Sequence, residues 1–71
     1  MTTAIANYAG GHWYYGEFNN HTNKREGKGV FLFGDGAVHI GNYHNDQFNG
    51  EGIYYYPDGS EERGVFEDGK F

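Results

Sequence analysis

The sequence predicts an all-β fold: a single-layer antiparallel sheet of repeated β-hairpins, six strands in a meander. Three observations carry this. Thirteen glycines, seven tyrosines and six phenylalanines stand among 71 residues; aromatics favour strands and glycine permits tight turns. Glycines and rings recur together at a fixed spacing of 23 residues. Between the turn signals, side chains alternate at period two, the strand signature.

The repeat organises the chain. Gly27, Gly29, Gly36 and Gly41 recur as Gly50, Gly52, Gly59 and Gly64, Phe31 and Phe33 as Tyr54 and Tyr56, Asp35 as Asp58, and Tyr43 as Phe66. Ile5, Tyr8 and Gly11 align with Val30, Phe33 and Gly36. Gly16 and Phe18 align with Gly41 and Tyr43 after a displacement of two, which places a two-residue insertion within 19–26. The chain divides into two full units, 14–38 and 39–61, flanked by half units 4–13 and 62–71, all in one domain over 1–71. The half units are expected to act as docking ends for neighbours, because a linear hairpin stack has two open edges.

Each unit reads as two strands. Glycine-x-glycine-x-aromatic-x-aromatic runs into a turn, and a second short strand ends at glycine-x-aromatic. The strands are expected at 3–8, 12–18, 28–33, 38–43, 51–56 and 61–66. In Tyr56-Pro57-Asp58-Gly59-Ser60, proline presets φ for the first turn position and Gly59 takes the left-handed one. This suits a three-residue hairpin loop with a glycine bulge. Gly34-Asp35-Gly36 is the same turn without proline.

A three-residue loop pairs Tyr56 with Ser60, and this sorts the side chains onto two faces. One carries an aromatic ladder of Tyr8, Tyr14, Phe18, Phe31, Phe33, Tyr43, Tyr54, Tyr56 and Phe66, with His39 in a ladder position. The intervening glycines leave room for rings to lie across the backbone. The ladder is expected to be the core, with a groove for a ligand or helix as the alternative. The opposite face carries Trp13, Tyr15, Val30, Leu32, Val38, Ile40, Ile53 and Tyr55. An isolated antiparallel sheet should have one wet side, so an apolar second face marks an interface with another chain. The alternative is a sheet that curls to cover itself.

Composition excludes several functions. A net charge of −5 disfavours nucleic acid and anionic membranes, both of which are held by lysines and arginines. With no cysteine, disulfides and thiolate metal sites are excluded. His12, His21, His39 and His44 lack the i, i+2 spacing that sets two ligands on one strand face. Asp35, Asp46, Asp58 and Asp68 sit singly in turns, unlike a calcium loop. Ser60, the one serine, lies in a turn, and Gly27-Lys28-Gly29 is no phosphate loop. Lys24, Arg25 and Lys28, with His21 near, read as a solvated basic loop, with contact to a phosphate or an acidic partner as the alternative. No catalytic residue, metal or cofactor is expected. The start lacks a basic segment followed by an apolar run, and no run approaches the ~20 apolar residues of a membrane helix.

Tyr14-Tyr15-Gly16-Glu17-Phe18, Gly27-Lys28-Gly29-Val30-Phe31 and Asp35-Gly36 together resemble the MORN repeat. The second unit is similar at Gly41, Tyr43, Gly50, Gly52, Asp58 and Gly59, and departs at His39, where that family has tyrosine, and at Asp46, where it often has glycine. The resemblance implies a non-enzymatic scaffold, a small subunit of a cytoskeletal, ciliary or organellar assembly acting through protein–protein contacts. A homo-oligomer satisfies the same pattern. Membrane or phosphoinositide association is the alternative the resemblance carries, and positioning a separate enzyme is another. The expected location is intracellular, cytoplasmic or cytoskeletal, and not secreted.

Overall fold

The computed structural model describes residues 2–67 and 69. Six strands, β1 (Thr2–Tyr8), β2 (His12–Asn19), β3 (Lys24–Leu32), β4 (Val38–His44), β5 (Gln47–Tyr55) and β6 (Glu61–Phe66), form one sheet. Their order across it is their order in the chain, with every neighbouring pair antiparallel. No helix occurs among the described residues. The expected half unit 62–71 includes Asp68, Lys70 and Phe71, which lie outside the described residues.

At one end of the sheet the loops have three residues. Phe33 N donates to Ala37 O at 2.8 Å and Tyr56 N to Ser60 O at 2.8 Å, while Gly36 and Gly59 take φ of +100° and +93°. A side chain at that φ is strained, so the aspartate-glycine pair is turn chemistry. At the other end, Asn45 and Asp46 make a two-residue turn with φ of +54° and +72°, joining His44 to Gln47. The corresponding turn between Asn19 and Lys24 is two residues longer. There the Asn19 side-chain oxygen accepts from His21 N at 2.8 Å and Thr22 N at 3.2 Å.

Two strands begin earlier than alternation predicts: β3 at Lys24 rather than 28, and β5 at Gln47 rather than 51. The cause is a bulge in each. Gly16 faces Gly29 but Phe18 faces Arg25, and Gly41 faces Gly52 but Tyr43 faces Phe48. Glu26-Gly27-Lys28 and Asn49-Gly50-Glu51 take up the surplus, with Gly27 and Gly50 at φ +78° and +92°. A bulge breaks period two, which hides the pairing beyond it. Lys24, Arg25 and Lys28 are therefore strand residues, not a basic loop, and Arg25 turns onto the aromatic face.

The core lies on that face. Tyr14, Phe31, Tyr43, Phe66 and His39 are buried, with Tyr8, Phe18, Phe33 and Phe48 packed around them. Ladder rings reach over an intervening strand. Tyr14 crosses β3 at Gly29 to meet Tyr43, with centroids 5.0 Å apart. One unit later His39 crosses β5 at Gly52 to meet Phe66 at 4.9 Å. A Cβ at Gly29 or Gly52 would occupy the ring's place. Tyr14 Oη donates to Glu17 O at 2.8 Å, and burial pushes its pKa up to about 12. Tyr56 is the exception: it stands 38% exposed at the rim, against Tyr54, with its hydroxyl on Glu62 at 2.5 Å.

Candidate docking face

The register sets the outer face in rows that cross the strands. The first runs Asn7, Trp13, Leu32, Val38, Tyr55, Glu61. The second runs Ile5, Tyr15, Val30, Ile40, Ile53, Arg63. All eight residues picked from the sequence fall in these two rows. Trp13, Tyr15, Leu32 and Ile40 are 42–52% exposed, while Val30, Val38, Ile53 and Tyr55 are half-buried against their neighbours. Ile5 and Val65, 66% and 65% exposed, extend this face. They were missed because the short strands β1 and β6 carry few large apolar side chains, although alternation from Tyr15 and Ile53 assigns both.

Beyond the second row lies a third, mostly polar one that includes Thr3, Glu17, Lys28, Asn42 and Glu51. Between the second and third rows the floor is backbone: Gly16, Gly29, Gly41, Gly52 and Gly64 face one another across five strands. Two depressions of about 510 and 490 Å³ lie along this floor and share Ile40, Gly41 and Asn42. Together they make one trough at right angles to the strands. Glu17 closes its edge by accepting from Lys28 N at 2.8 Å, and Asn42 Nδ2 reaches Glu51 O at 3.3 Å. These residues hold equivalent positions in the two bulges.

The aromatic face is closed by an element the sequence did not reveal. The Arg25 guanidinium lies 4.9–5.9 Å from the centroids of Phe31, Tyr8, Tyr14 and Tyr43. Its Nε donates to Asp46 Oδ1 at 3.1 Å and its Nη2 to Asp46 O at 2.7 Å. Arg25 N also donates to Asp46 Oδ1, at 2.8 Å, and Asp46 N to Arg25 O, at 3.1 Å. The backbone part of this clasp recurs 23 residues on, where Gly69 N donates to Phe48 O at 2.9 Å. Arg25 and Phe48 hold one position of the repeat, and Asp46 and Gly69 another. Aspartate tolerates the left-handed turn and adds the carboxylate that holds Arg25. Beside it, Glu26 accepts from Asn45 N at 2.9 Å, and this bond, with His44 at 3.1 Å, lowers the Glu26 pKa. Extending the period of 23 to Arg25 and Phe48 was the available signal for both.

His39 is fully buried. It stacks on Phe48 at 3.9 Å and shares a hydrogen bond with the Tyr43 hydroxyl at 2.9 Å. Its Nε2 has no hydrogen-bond partner among the described residues. Burial draws its pKa down to about 4, so the ring is neutral at physiological pH. Among the described residues no group of three His, Asp or Glu side chains is placed to hold a metal ion.

The MORN repeat family model matches residues 14–38 and 39–61, most of the chain, and the chain belongs to that family. Comparison with curated proteins finds no match. MORN repeats are generally non-catalytic modules that mediate protein–protein or membrane contacts.

Proposed function

We propose that this chain is a non-enzymatic scaffold module, a small subunit of a larger intracellular assembly, that binds a protein partner through its outer face. One observation carries the reading: the sheet completes its core on the aromatic face alone, yet presents six large apolar side chains 42–66% exposed on the other. Contiguous exposed apolar surface of this kind marks interaction sites. Trp13, Tyr15 and Tyr55 are the anchors, because buried aromatics dominate interface energetics. The net charge of −5 sets the face against anionic lipid.

The test is the double variant Ile40→Asp, Tyr55→Asp, used as bait beside the unaltered chain in extracts of its native source. Proteins retained by the unaltered chain and released by the variant support the reading. Equal retention by both, with the variant's circular dichroism unchanged, sinks it.

A further inference from the structure

The apolar part of the outer face has a definite footprint. It is two rows wide, and residues at i and i+2 in a strand stand about 7 Å apart, so with side chains the stripe is about 10 Å across. From Ile5 on β1 to Ile53 on β5 it spans four inter-strand gaps of about 4.8 Å, or roughly 20 Å. A strip of that size is too small for a stable face-to-face dimer, which buries about 800 Å² on each partner. A second sheet laid over the face would also cover the charged third row, Glu17, Lys28 and Glu51.

The strip does match one α-helix. A helix is about 10 Å across, and roughly 14 residues cover 20 Å. Its pitch of about 5.4 Å is close to the inter-strand spacing, so successive turns meet successive strands. The trough over the glycine floor runs in the same direction, across the strands. It has an apolar wall of Tyr15, Val30, Ile40 and Ile53 and a polar wall that includes Glu17 and Asn42.

Charge completes the specification. The third row sets two carboxylates, Glu17 and Glu51, beside the apolar strip against one cation, Lys28, and the chain as a whole carries a net charge of −5. Arg63, at the end of the second row, is engaged by Glu61 at 2.8 Å.

We propose that the outer face takes a single amphipathic helix of a partner protein, about four turns long, laid across the strands with its apolar stripe on the two apolar rows and lysines or arginines along the edge that faces Glu17 and Glu51. This deepens the docking reading and rests on it. The partner helix shows apolar residues at i, i+3, i+4 and i+7.

The test uses a display library of random 16-residue peptides, selected on the full chain and counter-selected on the Ile40→Asp, Tyr55→Asp variant. Recovered peptides should repeat apolar residues every three to four positions and carry net positive charge. On binding they should gain helical circular dichroism and shift the emission of Trp13, the one tryptophan of the chain. Placing proline at the peptide's centre should weaken binding at least tenfold. Exchanging its lysines for glutamates should do the same at low salt. Peptides of period two, or acidic ones, that still shift Trp13 would overturn the helix while leaving the docking face standing. So would a Trp13 shift produced by self-association without peptide, or by lipid vesicles. No enrichment over the variant would overturn both.

Discussion

The two faces of this sheet share one backbone and differ in what covers them. Tyr14 and Trp13 are neighbours in β2, yet Tyr14 is inaccessible and Trp13 is 47% exposed. On the aromatic face the rings are long enough to bridge alternate strands, and the glycines beneath let them lie flat. On the outer face valine, isoleucine and leucine reach only their neighbours. The glycine row thus acts on one face: its missing Cβ atoms are what let the rings close the aromatic side.

The strongest test of this asymmetry is the adjacent pair. Tyr14→Ala removes a buried ring touching Phe18, Tyr43 and Phe31 and the hydroxyl bond to Glu17. It should cost about 3–5 kcal/mol, enough to unfold a domain of this size. Trp13→Ala should cost less than about 1 kcal/mol. Urea titrations followed by circular dichroism measure both, and equal losses would erase the distinction between the faces.

Gly41→Ala tests the glycine row. Its Cβ would lie 2.7 Å from Glu51 O and 2.7 Å from Gly52 Cα, which are backbone atoms that cannot turn aside. About 2–3 kcal/mol of destabilisation is expected, against about 1–2 kcal/mol at Gly59→Ser, whose surroundings are open and whose cost is the strain of a side chain at its positive φ. The same titration reads both, and a tolerated Gly41→Ala would mean that the strands have room to separate.

His39 gives the aromatic face a pH dependence. Its folded pKa of about 4 lies below the value near 6.5 of an unfolded histidine. The unfolded chain therefore binds the extra proton between these values. Stability is at its full value above about pH 6.5 and falls as pH drops toward 4, by on the order of 3 kcal/mol. His39→Tyr, which restores the side chain that Tyr14 provides one unit earlier, should flatten melting temperature against pH between 4.5 and 6.5. A slope unchanged in the variant would assign the effect to other groups.

A smaller effect than at Tyr14 or Gly41 is expected at the clasp. Asp46→Ala leaves Arg25 half-buried on its rings without its carboxylate and should cost about 1–2 kcal/mol. Asp46→Gly relieves the turn and should cost less. If thermal melts rank the two variants the other way, the left-handed turn is not strained by aspartate.

What the sequence made legible follows the same division. The repeat showed the strands, the three-residue loops and the sorting of side chains onto two faces, because alternation and glycine spacing are local. The pairing of Phe18 with Arg25 and of Tyr43 with Phe48 lay beyond a bulge, where alternation fails. Arg25 consequently looked like part of a solvated basic loop, although a guanidinium over four rings is a core element. Tyr56 looked like a ladder member, but among the described residues no further ring lies beyond it to cover it. The eight outer residues could be assigned to one face from parity alone. Ile5 and Val65 follow from the same parity and are obscured only because β1 and β6 carry few large apolar side chains.

Acrylamide quenching of Trp13 fluorescence, with light scattering to fix the mass, reads most directly whether the fold leaves its outer face open. An open face gives a folded chain whose tryptophan is readily quenched while monomeric and becomes shielded when a basic amphipathic helix is added. A monomer whose Trp13 is already shielded would contradict it, because the sheet would then be covering its own outer face.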